Sequence, residues 1–511
     1  MDTIIVEYFN ETYFKLHCSY EQALELHSHF ECYAENYWFS PKYKAKLWNG
    51  KISFFDLHDR TLPIGLFAML KTFIRKFKYK HFFAFDKEEF VNELSENDIT
   101  SFYNTIYKDS KYYPRDYQHE AIKRLLTLKR GVVESPTGSG KSLIIYSLIR
   151  YAMTESTGGK ILLVVPNVDL TNQMFNDFED YGWNDARSNV SVLYHDSGRY
   201  DPNKPILIST WQSIYKRDPS FFEQFEGVIV DEVHGAGSSG SIQTILKNST
   251  NAEYRFGVTG TMPDALLDKY NIHGYIGPKV LEIETDKLIK EGHLSDIKIG
   301  NIFLQYPNSD VEENKGNTYQ DECKYIINHK NRNKIFKYII NHINTNDNVL
   351  ILCERLEHLD SIHGYLCDEF DSNAEDMKKG LCRPILKISG GVDPKIRQKM
   401  RDYMEDHGGV ILVATYGTMS MGINIKRLHH VILGSSYKSK TKILQSIGRG
   451  LRVHATKKLL KVWDIIDDLR YVTTRRTLKE NHIFKHFLKR LGYYKQRKFK
   501  YINKKINLMD L

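Results

Sequence analysis

At 511 residues the chain exceeds one ordinary domain, and domain sizes of roughly 100–200 residues suggest about three or four units. A hydrophobic content of 41% with 26% charged residues is that of a soluble globular protein. The 72 Lys+Arg over 63 Asp+Glu leave a net +9 gathered near both ends, which favours a polyanionic partner.

The cysteines Cys18, Cys32, Cys323, Cys353, Cys367 and Cys382 form no C-x-x-C pair, and no His follows at finger spacing. That argues against a structural zinc site and fits a reducing compartment. No basic-then-apolar leader is visible, and the longest apolar runs are strand-sized, so a soluble intracellular protein without a bilayer span is expected. The many Tyr and Phe are expected mainly in cores.

Residues 1 to about 85 mix short alternating runs with basic and aromatic residues, and a small α+β domain that binds DNA is expected there. Within it Lys42-Tyr43-Lys44-Ala45-Lys46-Leu47-Trp48-Asn49-Gly50-Lys51-Ile52-Ser53-Phe54 reads as a hairpin, because Asn-Gly favours a tight turn between alternating strands. Period-two alternation then puts Lys42, Lys44, Lys46, Trp48 and Lys51 on one face. That face is expected to ride on duplex phosphates, with Trp48 available for stacking. Residues 86–111 read as a helical connection.

From 112 to 290, β-branched runs such as Ile161–Val165 and Val228-Ile229-Val230 alternate with helical stretches, the signature of a parallel sheet with crossover helices. Arg115-Asp116-Tyr117-Gln118 follows Pro114 as a helix start. Gln118 can present its amide to an adenine edge, with Arg115 in support and Tyr112 or Tyr113 stacked on the base.

Ser135-Pro136-Thr137-Gly138-Ser139-Gly140-Lys141-Ser142 lies between a strand and a helical run. Glycines let successive backbone N–H groups turn toward an anion, and the helix N-terminus adds positive potential. Thr137, Gly138, Ser139 and Gly140 are therefore expected to cradle the phosphates of ATP. Lys141 would reach the β- and γ-phosphates, and the Ser142 hydroxyl would ligate Mg²⁺. Ser135 stands where the general pattern has its first Gly.

Further on, Gly227-Val228-Ile229-Val230 runs into Asp231-Glu232-Val233-His234. Ligands of open parallel sheets bind at the carboxyl ends of strands. Asp231 is expected to hold Mg²⁺, Glu232 to orient and deprotonate the attacking water, and His234 to link the nucleotide site to a second lobe. In Val258-Thr259-Gly260-Thr261, hydroxyls can couple phosphate state to DNA grip. Thr210, in Thr210-Trp211-Gln212, is a candidate nucleic-acid contact.

Residues 305–320 are polar and aperiodic and read as a loop. Alternation resumes at Val349–Leu352, Ile385–Ile388, Val410–Val413 and Val431–Leu433, so residues 291–470 are expected to form a second parallel sheet. Val413–Ile425 leaves a strand into a glycine-containing loop, where Thr415 and backbone amides could hold a nucleic-acid phosphate without reading sequence. In Gln445-Ser446-Ile447-Gly448-Arg449-Gly450-Leu451-Arg452, helical spacing puts Gln445, Arg449 and Arg452 on one face. Guanidinium groups there could enter the ATP cleft of the first lobe and stabilise the transferring phosphoryl.

Residues 471–511 read as a basic helical tail. Ile483, Phe484, Phe487, Leu488 and Leu491 form its apolar stripe, with Lys485, Lys489 and Arg490 off it.

Taken in order, RDYQ (115–118), PTGSGKS (136–142), VVPNVDLTNQ (164–173), STWQS (209–213), DEVH (231–234), VTGT (258–261), VATYGTMSMGINI (413–425) and QSIGRGLR (445–452) resemble the superfamily-two helicases of the DExH type. Within that superfamily, Leu47–Ile52, Thr210–Gln212 and Val462–Asp468 look most like the recombination and repair helicases of phages.

The resemblance implies an α/β chain of two tandem RecA-like parallel-sheet domains, with the small N-terminal domain and the basic tail appended. It further implies DNA-stimulated ATPase activity with ATP and Mg²⁺, branch migration and fork regression. Unwinding of D-loops and R-loops with 3′-to-5′ polarity is implied too. DNA, with RNA–DNA hybrids, is the expected partner of a monomer in the host cytoplasm that engages no membrane. Tyr416, where many relatives carry an acid, and Asn424, in place of the common Asp, depart from the pattern. Two rivals remain at this level: an RNA helicase, and a nucleotide-gated DNA-binding or annealing protein that does not unwind.

Overall fold

The computed structural model describes residues 3–86, 90–155, 158–194, 200–370, 383–420 and 425–511. The chain divides into two compact units, 1–135 with 140–283, and 284–511 with the loop residues 136–139.

Among the described residues, each unit is built on a seven-stranded, wholly parallel sheet. The first runs, in spatial order, Lys279–Glu282, Arg130–Glu134, Tyr254–Thr259, Phe225–Asp231, Lys160–Val165, Ile206–Thr210 and Val190–Leu193. The β-branched runs Ile161–Val165 and Val228–Val230 are buried along their whole length, because crossover helices cover both faces of a parallel sheet. Register pairs Asp231 with Val258, Val258 with Val133 and Thr259 with Glu134. The carboxyl ends of three central strands therefore lie side by side, and the functional loops leave from that edge.

The N-terminal residues form a four-stranded mixed sheet, in the order Thr61–Pro63, Tyr13–His17, Thr3–Tyr8 and Lys80–Ala84. Its core is continuous with that of the larger sheet: Ile4, Val6, Phe14 and Leu62 belong to the same apolar cluster as Val132, Leu162, Val230 and Ile272. Gly65 sits against the helix Leu266–Tyr275, where a Cβ would come within 1.8 Å of the His273 carbonyl oxygen. Arg130 pairs with Glu11 at 2.7 Å, and the fully buried Arg255 donates to Thr12 at 2.7 Å and to the Tyr275 carbonyl at 2.8 Å.

The second sheet runs Ile385–Ile388, Ile411–Thr415, Val349–Cys353, His430–Leu433, Leu459–Asp468, Asp296–Gln305 and Lys500–Asn507. Four of these strands carry the continuous apolar runs expected from the sequence; the two long ones, whose apolar residues are interrupted by Lys, Asn and Asp, and the last one do not.

Three expectations change. The hairpin over 42–54 is absent: Ser40-Pro41 starts a helical turn, Pro41–Lys44, with proline at its first position, where its missing N–H and fixed φ cost nothing. The strand Lys51–Ser53 pairs instead with Glu31–Tyr33. The expected loop 305–320 holds the short helix Asn308–Glu313 and the start of the helix Tyr319–Asn328, capped by Thr318 and Asp321.

The tail is a helix, His482–Gln496, followed by the edge strand Lys500–Asn507, whose lysines blunt an edge otherwise open to pairing. On that helix Ile483, Phe484 and Phe487 are buried as the stripe requires. Leu488 is exposed, while Arg490, expected off the stripe, is fully buried.

Candidate active site

The phosphate loop leaves the strand Arg130–Glu134 and enters the helix Lys141–Glu155. Gly138 and Gly140 take φ of +88° and +80°, a region closed to most side chains, so the loop can curl only with glycine at these positions. The Ser139 hydroxyl donates to the Pro136 carbonyl at 2.7 Å and closes the turn. Lys141 Nζ lies 3.5 Å from the Ser135 carbonyl oxygen and 3.5 Å from Glu232 Oε1, so the ammonium and the acid expected to act on one substrate meet inside the first unit.

Asp231 ends its strand, and Glu232 follows with φ of +50°. A non-glycine residue in that conformation costs on the order of 1–3 kcal/mol and persists only where the surroundings enforce it. Here the Glu232 N–H donates to Asp231 Oδ1 at 2.9 Å. The Thr259 hydroxyl donates to Glu232 Oε2 at 3.3 Å, and His234 Nδ1 lies 2.9 Å from Thr259 Oγ1 and 3.3 Å from Glu232 Oε2.

Burial and the neighbouring Glu232 push the Asp231 carboxyl up. Burial would raise Glu232 as well, but Lys141 and His234 overcome it and hold that carboxyl well below the usual range, ionised. His234, expected to reach a second lobe, joins the acid pair to the VTGT segment.

The Ser142 hydroxyl lies 2.7 Å from that of Tyr181, a residue the sequence reading missed because nothing in its local pattern marks it. Ser142 and Asp231 make an oxygen donor set that suits Mg²⁺, which commonly takes one or two protein oxygens and completes its shell with phosphates and water. Among the described residues no group of three or more His, Cys, Asp or Glu side chains could hold a metal by itself.

Gln118 is buried and engaged at both ends, accepting the Arg115 N–H at 2.9 Å and donating to the Gly140 carbonyl at 3.3 Å. It ties the RDYQ helix to the phosphate loop, and reading adenine would require exchanging that second bond. Arg115 Nη1 donates to the Tyr117 hydroxyl at 3.1 Å. Tyr112 and Tyr113 are exposed, as base stacking requires.

In the second unit Gln445 and Arg449 lie on the helix Lys440–Gly450, and Arg452 follows two residues beyond it. The nucleic-acid candidates fare less well. Thr210 is buried with its hydroxyl 2.8 Å from Ser213, so it closes the turn after its strand. Thr415 Oγ1 accepts the Thr418 N–H at 3.2 Å and caps the helix Tyr416–Ser420.

Lys44 and Lys46 are exposed, but Lys51 pairs with Glu31 and Trp48 Nε1 donates to the Lys51 carbonyl at 2.7 Å, so the four do not form one basic face. Tyr416 is buried, its hydroxyl donating to the Ser435 carbonyl at 3.0 Å. Asn424 lies outside the described residues.

Comparison with known proteins matches three family profiles in succession: "DNA helicase UvsW, N-terminal" over residues 3–84, "Type III restriction enzyme, res subunit" over 111–264 and "Helicase conserved C-terminal domain" over 330–454. The chain is 33% identical to the ATP-dependent DNA helicase UvsW of Enterobacteria phage T4, covering 99% of this chain and 100% of that one. The crystal structure of T4 UvsW superposes with a TM-score of 0.50 at 31% identity, covering 99% and 100% of the two chains. A "DNA 3′-5′ translocase XPB2" of Sulfurisphaera tokodaii is 28% identical over 47% of this chain and 51% of its own.

Proposed function

Because the chain belongs to the UvsW family of ATP-dependent DNA helicases, we propose that it hydrolyses ATP to move along DNA with 3′-to-5′ polarity. Its substrates in this reading are branched DNA: forks, Holliday junctions, D-loops and R-loops, remodelled during recombination, repair and replication. It works as a monomer in the cytoplasm of the host cell. Among the described residues no helix is long and apolar enough to cross a membrane.

The observation that carries the reading is the strained Glu232, held ionised between Lys141, His234 and Thr259 at the edge where the phosphate loop opens. The loop N–H groups of 137–140 bind the phosphates. Lys141 exchanges its 3.5 Å contact with Glu232 for the β- and γ-phosphates, which frees the carboxylate to orient water and accept its proton. Ser142 and Asp231 would hold Mg²⁺, which neutralises phosphate charge. Gln445, Arg449 and Arg452 stabilise the charge that spreads over the transferring phosphoryl. His234 and Thr259 relay the state of Glu232 to the VTGT segment, and the exposed Lys44 and Lys46 add phosphate contacts.

The test is phosphate release by Glu232→Gln and Lys141→Ala, with product formation by the unaltered chain on four-way junctions, forks, R-loops and plain single strands. Loss of turnover with retained DNA binding is expected. Normal turnover in Glu232→Gln would remove the assigned base, and equal product formation on all substrates would remove the preference for branches.

A further inference from the structure

Between the strand His430–Leu433 and the helix Lys440–Gly450, every residue from Gly434 to Lys438 is held by another part of the second unit. Arg332 Nη2 donates to the Gly434 carbonyl at 2.8 Å. The Tyr416 hydroxyl donates to the Ser435 carbonyl at 3.0 Å, and Ser435 Oγ accepts the Glu354 N–H at 3.1 Å. Arg490 Nη1 donates to Ser436 Oγ and to the Tyr437 carbonyl, both at 3.1 Å. The Tyr493 hydroxyl donates to the Lys438 carbonyl at 3.0 Å, and the Tyr437 ring stacks on Tyr416 with centroids 5.0 Å apart.

Both arginines are anchored on the strand Leu459–Asp468. Arg490 forks onto Asp464 at 2.8 and 2.9 Å, and Arg332 onto Asp467 at 3.1 and 3.2 Å. The hydroxyls of Tyr494 and Tyr306 complete the two carboxylates at 2.8 Å each. All four charged side chains are fully buried. Apolar side chains of the same volume usually stabilise a fold as well as a buried ion pair does, so stability alone is a poor reason for two of them side by side. A guanidinium locked on a carboxylate supplies direction, since its remaining N–H groups point along fixed lines.

We propose that Arg490 and Arg332, with the hydroxyls of Tyr416 and Tyr493, are positioning residues that set the angle at which the helix Lys440–Gly450 leaves the sheet, and so the placement of Gln445, Arg449 and Arg452 for ATP turnover. The inference rests on the reading of those three residues given above. The helix acts as a lever: at 1.5 Å per residue Arg449 stands about 15 Å beyond Ser439, and a tilt of about 10° at the base displaces it by about 2.6 Å. Misplacement of about 1 Å can cost a hundredfold in rate. The C-terminal helix, far from the phosphate loop in sequence, is thereby part of the ATPase.

The test uses the full chain with Tyr416→Phe and Tyr493→Phe combined, which removes two of the holding bonds and leaves no charge unpaired, alongside Arg490→Lys. In the double-phenylalanine variant, DNA-stimulated kcat should fall about tenfold or more while KM for ATP stays nearly unchanged and the fold is only modestly destabilised; Arg490→Lys should lower kcat likewise. Adding Arg449→Ala to the double-phenylalanine variant should cause no further loss beyond Arg449→Ala alone.

Unchanged kcat in the folded double-phenylalanine variant, or losses that multiply with Arg449→Ala, overturns the inference. If Arg490→Lys fails to fold, the phenylalanine variant and its cycle decide. Full turnover in Arg449→Ala would remove the underlying reading and this inference with it. Loss in Arg449→Ala beside a fully active double-phenylalanine variant removes the positioning role alone.

Discussion

Both sheets end a central strand in acids, and they treat those acids in opposite ways. At the end of Phe225–Asp231, Glu232 meets a lysine at 3.5 Å and a histidine at 3.3 Å, loose contacts that a ligand can replace. Near the end of Leu459–Asp468, Asp464 and Asp467 are each closed by a buried arginine at 2.8 to 3.2 Å and a tyrosine hydroxyl at 2.8 Å. Glu232 keeps its charge for chemistry. In the second pair structure has already consumed the charge, and the geometry it enforces is what remains useful. An acid at the end of a parallel strand is thus a candidate catalyst only while no arginine has satisfied it.

The sharpest break of that comparison is in rate. Glu232→Gln should lower ATP turnover by about 10³-fold, within the range for loss of a general base, with DNA affinity unchanged within about twofold in a salt titration. Next is stability: Asp464→Asn leaves the Arg490 charge buried without its partner and should cost about 3–5 kcal/mol, read as an earlier denaturant transition. Asp231→Asn is the matched control. Asparagine can still accept the Glu232 N–H, so stability should stay within about 1 kcal/mol while turnover is lost. A large destabilisation there would erase the contrast.

The smallest effect concerns His358, buried beside Ser435 with Nδ1 2.8 Å from its hydroxyl. Burial, aided by Arg332, lowers its pKa to about 3. The unfolded chain therefore binds the extra proton first, and stability present above about pH 6.5 is lost as pH falls, by up to about 2 kcal/mol at pH 5. His358→Gln should flatten that slope in urea titrations of the full chain.

Much of the candidate site was legible because the chemistry expected of it demands particular residue types at fixed spacing. A loop with glycine at 138 and 140 followed by Lys141-Ser142, and a buried strand running into Asp231-Glu232, have few other uses. The same reading failed over residues 42–54, where local alternation and Asn49-Gly50 argued for a hairpin. Pro41 begins a helical turn there instead, and the pairing partner of Lys51–Ser53 is Glu31–Tyr33. Asn49 still makes a turn, its side chain accepting the Lys51 N–H at 3.0 Å, but the turn does not join two strands.

By itself, then, the sequence determined the two parallel sheets, the phosphate loop and the acid pair, since periodicity, glycine conformation and ligand chemistry are properties of neighbouring residues. Only the tertiary structure decided that Tyr181 meets Ser142, that Arg490 is sealed on Asp464 and that Lys500–Asn507 closes the second sheet. Those outcomes depend on which groups from distant segments arrive together in a low-dielectric interior. There an unpaired charge or carbonyl is costly enough to select its partner, wherever that partner lies along the chain.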